Sequence, residues 1–169
     1  MEKVKLNAGC FNDIKENYIN LDKNRFNPKI DVVHNLEEFP YPFDSDTFEE
    51  VLLTQVLSHI DANKTVEVFK EIHRICKDNA IIKITEPFRE QYLRDIDHKR
   101  GFTVESFNNL CSGLVWRTSS KFEIVRIQLI PTKVGKYIPN LKLFLFERGL
   151  RDLLSSFMNH IVRDIHVEL

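Results

Sequence analysis

The sequence predicts an α/β protein built on a mostly parallel sheet, and three observations carry that prediction. Short apolar runs alternate with amphipathic segments from one end of the chain to the other, which is the pattern of strand–helix layers. Turn-forming residues punctuate those runs at nearly every boundary. The 169 residues contain no repeat, low-complexity tract or flexible linker, so 1–169 reads as a single domain with room for a substantial core.

The elements follow in order. "KVKLNA" reads as the first strand and ends on Gly9, and "NYINLD" over 17–22 is the second. Only twelve residues separate Gly9 from Asp22, and "NDIKE" is too turn-like for a full helix, so the first crossover is abbreviated. "DVVHNL" over 31–36 is the third strand, and "EFPYPFDSDTF", with two prolines, is loop. "EEVLLTQVL" is apolar enough for a buried fourth strand.

A helix is expected from an Asn63 N-cap through "KTVEVFKEIHRIC", because Val66, Phe69, Ile72 and Cys76 recur at helical spacing. "KDNA" breaks it, "IIKITEP" is the fifth strand, and residues 88–102 read as irregular. Thr103 then caps the short helix "VESFNNLC", and "FEIVRIQLI" is a sixth strand. Further on, "LKLFLF" reads as a second apolar stretch, "GLRDLLSSFMNHIV" as a helix and "DIHVEL" as the last strand.

Composition narrows the function. The 24 Lys and Arg against 25 Asp and Glu give no basic excess of the kind that grips a phosphate backbone, which disfavours nucleic acid. Cys10, Cys76 and Cys111 form no C-x-x-C pair and read as buried thiols of a reducing compartment. The charged amino terminus is no signal peptide and no apolar run approaches the ~20 residues of a membrane span. The expectation is a cytoplasmic protein without membrane contact.

The chemistry gathers at the strand ends. Gly9 allows a tight turn whose N–H groups can approach a ligand. Asp22 ends the second strand, where a carboxylate can accept from both hydroxyls of a ribose. Asn35 and Leu36 end the third strand and offer an amide and a backbone N–H to a purine edge. Thr54 and Gln55 end the fourth. Ligands of open α/β sheets bind outside such carboxyl ends. The chain has neither the G-x-G-x-x-G string of dinucleotide sites nor the G-x-x-x-x-G-K-[ST] string of a P-loop, so NAD and ATP fit poorly.

"LNAGCFNDIKENYINLDKN", "DVVHNLEEFPYPFDSDTFEEVLLTQVLSHI" and "FKEIHRICKDNAIIKITEP" together resemble the type 11 kind of class I S-adenosylmethionine-dependent methyltransferase. The similarity runs in order over roughly residues 4–110. It implies a Rossmann-like, seven-stranded-type sheet with helices on both faces, and S-adenosylmethionine as cofactor. It places Ala8, Gly9, Cys10 and Phe11 in the cofactor loop, with Gly9 and its neighbours against the methionine part. It assigns Asp22 to the ribose, Lys23, Asn35 and Leu36 to the adenine, and Gln55 to the methionine end. Phe11 departs from the family pattern by standing where a second glycine is usual, and Ser58 departs by standing where a glutamate is.

The function expected on that resemblance is methyl transfer to a small-molecule or glycan-type substrate. The alternative is a non-catalytic protein of the same fold that acts as a binding or assembly partner. His98 and Asp95, in the irregular segment after the fifth strand, are the candidates for a general base. The Leu- and Phe-rich carboxyl-terminal region is a candidate surface for a homodimer.

Overall fold

A computed structural model describes residues 4–112, 122–132 and 162–169. Seven strands form one sheet: β1 (Lys5–Ala8), β2 (Ile19–Asp22), β3 (Val32–Val33), β4 (Phe48–Thr54), β5 (Cys76–Pro87), β6 (Arg126–Pro131) and β7 (Val162–Glu168). Their order is β3-β2-β1-β4-β5-β7-β6. The first five strands pair in parallel, and β7 inserts antiparallel between β5 and β6. The predicted α/β class and mostly parallel sheet are therefore what the chain forms. "LKLFLF" and the expected helix "GLRDLLSSFMNHIV" lie outside the described residues except for Val162, which opens β7.

Alternation along the strands sorts the two faces of the sheet. Leu6 and Ala8 of β1, Val51 and Leu53 of β4, Ile82 and Ile84 of β5, and Ile165 and Val167 of β7 all join one buried cluster. Helix α1 (Thr65–Ile75) covers that cluster with Val68, Phe69, Ile72 and Ile75. Helix α2 (Val104–Ser112) adds Phe107 and Leu110 to it. Each such side chain, fully buried, stabilises the fold by roughly 1.5–3 kcal/mol.

The other face carries the intervening residues and is polar. Glu50 sits between Lys5 and Lys83, at 3.5 and 3.1 Å, and accepts the Tyr18 hydroxyl. Next to them the Thr85 hydroxyl meets His166 Nδ1 at 2.9 Å. The β1–β2 and β2–β3 connections contain no helix, so neither supplies an apolar stripe to this side.

The abbreviated first crossover is held by amides instead of a helix. Asn7 and Asn20 are both buried, and Asn7 Nδ2 donates to Asn20 Oδ1 at 3.0 Å and to the Asp13 carbonyl at 2.8 Å. Asn20 Oδ1 also accepts the Lys15 N–H, and Asn20 Nδ2 donates to the Lys15 and Tyr18 carbonyls. Two side chains thus satisfy the backbone that a crossover helix would have satisfied internally.

Several boundaries differ from the sequence-based expectation, among them the start of the sixth strand, which is Arg126 and not Phe122. β3 stops at Val33, because Asn35 turns back to accept the Glu37 N–H and starts a turn. α1 begins at Thr65 with Lys64 as N-cap, and no side chain caps it, so Asn63 does not have the expected role. "KDNA" belongs to β5, where Asn79 takes a left-handed φ of 62° beside an irregularity in the β4–β5 register. Part of the irregular segment forms a 3₁₀ turn over Arg89–Arg94. The Thr103 cap of α2 forms as expected, with Thr103 Oγ1 accepting the Ser106 N–H.

Replacing Asn20 by alanine removes the acceptor for two donors and the donor for two carbonyls in a buried place. The expected cost is roughly 2–3 kcal/mol, read as a lower urea midpoint with an unchanged slope.

Candidate functional site

At the carboxyl end of β1 the chain bends on Gly9, whose φ is +73°. A Cβ there would lie 2.5 Å from Val56 Cγ2, so both the backbone angle and the space require glycine. The N–H groups of Gly9 and Cys10 donate to the Leu21 carbonyl at 2.8 and 3.0 Å, which binds the bend to the end of β2.

Asp22 turns toward this bend. Its Oδ2 accepts the Phe11 N–H at 2.8 Å and its Oδ1 accepts the Asn24 N–H at 3.1 Å. A carboxylate has about four lone-pair positions, so two remain for hydroxyl donors. Phe11 sits at φ 45°, the left-handed region that glycine adopts without strain. The Asp22 bond offsets part of that strain.

The Phe11 ring lies on the outer rim, 56% exposed, with its centroid 5.2 Å from that of Phe26, which is 55% exposed. The two rings meet edge to face. Ala8 is fully buried beneath the bend. Cys10 is buried too, and burial, followed by the nearby Asp22 charge, pushes its thiol up to about 11. It is therefore protonated and unreactive at neutral pH. Lys23 is exposed beside Asp22.

The purine-side candidates are less free than the sequence suggests. Asn35 spends its carbonyl on the Glu37 N–H at 3.1 Å and places Nδ2 3.4 Å from Glu38 Oε1. Leu36 is buried and its carbonyl accepts the Tyr41 hydroxyl at 2.9 Å. Gln55, at φ 55°, donates its backbone N–H to the Thr85 carbonyl and its Nε2 to Asp164 Oδ1 at 3.2 Å. The structure thus joins Gly9, Phe11 and Asp22 directly, while Asn35 and Gln55 hold neighbouring turns.

Of the two base candidates, His98 is the half-buried one. Its ring packs edge to face on His59 with centroids 4.5 Å apart, and its Nδ1 is buried without a hydrogen-bond partner. Burial and the facing His98 lower the His59 pKa. Asp95 is exposed, and its Oδ1 accepts the Asp97 N–H, so it shapes the turn.

Glu86 is the residue that sequence reasoning missed. It ends β5 at 0% exposure and accepts three successive N–H groups of the loop after β4: Val56 at 2.8 Å, Leu57 at 2.7 Å and Ser58 at 3.0 Å. The available signal was an acidic residue inside the apolar run "IIKITEP", since an unpaired carboxylate is almost never fully buried. Burial pushes its carboxyl up to about 7, and the three N–H bonds pull the other way.

With this geometry in place, known proteins can be compared. Residues 9–84 match the family model described as a methyltransferase domain. No curated protein matches the chain. Among solved structures, a SAM-dependent methyltransferase from Archaeoglobus fulgidus is 14% identical with a TM-score of 0.66, covering 98% of this chain and 85% of that one. One from Methanosarcina mazei is 13% identical with a TM-score of 0.63, covering 99% and 92%.

The chain therefore has the fold of the class I methyltransferases, and its residues 9–84 are similar to a methyltransferase domain. Both of those solved neighbours are described as dependent on S-adenosylmethionine. The same architecture also resembles the [4+2]-cyclase SpnF, at 14% identity and a TM-score of 0.61, covering 98% of this chain and 74% of that one.

The residues present fit the cofactor. A strand-end carboxylate with free lone pairs faces a glycine bend that admits no side chain, and Phe11 directs its ring to the rim. When bound, the cofactor supplies an electrophilic methyl group on a sulfonium. Asp22 would hold it by hydroxyl donors, and the Gly9 bend would lie along it.

The elevated Glu86 pKa sets a sign for stability against pH. The unfolded chain loses this proton near 4.5 and the folded chain near 7. The contribution is full below pH 4.5 and is lost as pH rises through about 7, by roughly 3 kcal/mol. The difference between wild type and Glu86→Gln in chemical denaturation, measured from pH 4 to 8, should follow that curve.

Proposed function

We propose that this chain binds S-adenosylmethionine across the ends of β1, β2 and β4 and transfers its methyl group to a cytoplasmic small-molecule or glycan-type nucleophile. The observation that supports this reading best is the Asp22 carboxylate turned onto the Gly9–Phe11 bend. In this reading Ala8, Gly9, Cys10 and Phe11 border the methionine part, Asp22 holds the ribose, and Lys23, Asn35 and Leu36 border the adenine. Gln55 closes the methionine end.

Methyl displacement from a sulfonium needs alignment above all, and alignment supplies roughly 7–11 kcal/mol in well-oriented systems. Where the nucleophile must lose a proton, His98 is the group we assign to take it, from its place in the segment that follows β5.

A second reading is a methyltransferase-fold protein that binds a ligand or partner without methyl transfer. Phe11 favours it, being a benzyl side chain at a left-handed position beside a second exposed ring. A fold shared with a named cyclase also hosts more than one chemistry.

Calorimetry decides between them. Under the first reading the wild-type protein binds S-adenosylmethionine, and Asp22→Ala weakens binding by roughly 10–150-fold, the equivalent of one charged hydrogen bond of about 1.5–3 kcal/mol. Phe11→Gly then changes affinity by less than about threefold. Under the second, the wild type gives no heat at millimolar cofactor and Phe11→Gly restores binding.

A further inference from the structure

The proposed mechanism does not use Glu86, yet its position joins the two sides of the cleft. On one side is the loop after β4, whose first residue, Gln55, borders the cofactor site. Glu86 fastens that loop by the N–H groups of Val56, Leu57 and Ser58. Val56 in turn packs against the Gly9 bend, close enough that a Cβ on Gly9 would collide with it.

On the other side is the segment that carries His98. Its base is closed where Phe102 N–H donates to the Pro87 carbonyl and Arg89 N–H to the Phe102 carbonyl, at 2.8 and 2.9 Å. Gly101 permits that closure, since a Cβ there would lie 1.7 Å from the Arg89 carbonyl oxygen. Pro87 and Arg89 follow Glu86 in the chain, so the strand that ends on the buried carboxylate also starts the segment.

The two sides then meet directly. Lys99 N–H donates to the Ser58 carbonyl at 2.8 Å, and the Asp97 carbonyl meets His59 Nδ1 at 3.2 Å. The Arg100 guanidinium reaches the Leu57 carbonyl and the Thr65 hydroxyl. His59 and His98 pack ring on ring.

Three buried side-chain polar atoms lack a hydrogen-bond partner among the described residues: Ser58 Oγ, His98 Nδ1 and Arg100 Nε. All three belong to this unit.

We propose that Glu86 is a positioning residue: it holds the loop after β4 and, through Ser58 and Lys99, the segment bearing His98, so that the two sides of the cleft are placed as one unit. This rests on the function proposed above for what the cleft holds, while the mechanical link stands on the hydrogen bonds alone.

The link is tested by amide hydrogen exchange on Glu86→Gln and Glu86→Ala, followed residue by residue. Glutamine keeps an acceptor for two of the three N–H groups and presents an NH2 to the third. The expected result is at least tenfold faster exchange at Ser58 and at Lys99 in both variants. Val56 and Leu57 should accelerate mainly in Glu86→Ala, with the α1 and β1 amides unchanged. Fast exchange at 56–58 with Lys99 still protected would overturn the coupling, as would no change at all.

A second arm measures S-adenosylmethionine affinity well below the unfolding transition. Positioning predicts a loss of about tenfold or more in Glu86→Gln. A lower Tm with full affinity would leave Glu86 merely structural and overturn the role. A wild type that binds no cofactor refutes the proposed function, and the exchange arm then decides the Glu86 link by itself.

Discussion

The hydrogen bond from the Phe11 N–H to the Asp22 carboxylate is the contact on which the loop after β1 depends. It spans β1 and β2 and converts a one-glycine bend into a defined loop, although residue 11 carries a side chain that disfavours the angle it adopts. A left-handed φ on a non-glycine residue costs of order 1–3 kcal/mol. That cost is tolerated only where neighbours over-determine the conformation. Here Gly9 and Cys10 add two further N–H bonds to Leu21, so the bend is held at three consecutive residues.

The same economy recurs on the other side of the cleft. Glu86 gathers three consecutive N–H groups, as Asp22 gathers those of Phe11 and Asn24. Both carboxylates sit at strand carboxyl ends, and both stabilise irregular backbone that no helix or ladder could satisfy. They differ in burial, and that sets their chemistry. Asp22, at the carboxyl end of β2, keeps 7% exposure and two further lone-pair positions. Glu86 is sealed, so burial dominates and its carboxyl rises to about 7.

A parallel sheet is ordinarily covered on both faces. In this chain the described helices cover one, and the connections around β2 are short turns closed by the Asn7–Asn20 pair. The polar second face follows from that. Lys5, Glu50, Lys83, Thr85 and His166 occupy positions where a helix-packed sheet would place apolar residues. They pair with one another, which keeps that face hydrogen-bonded.

How much of this was legible in the chain depends on the range of the forces involved. Strand–helix alternation, the shortened first crossover and the Gly9 and Asp22 strand ends were all readable, because hydrophobic periodicity and backbone permissiveness are properties of adjacent residues. The family resemblance over its middle pointed to the same architecture. The roles of Asn35 and Gln55 were less legible: each bears the right chemistry in the right place, but its own turn or a partner 109 residues away takes its hydrogen-bonding capacity. Glu86 looked like one polar letter in an apolar strand until the fold brought the loop after β4 onto it. The sequence by itself determined which segments are strands and where the glycine bend falls. Only the tertiary structure decided which backbone N–H groups surround each buried carboxylate, because long-range packing brings those loops onto it.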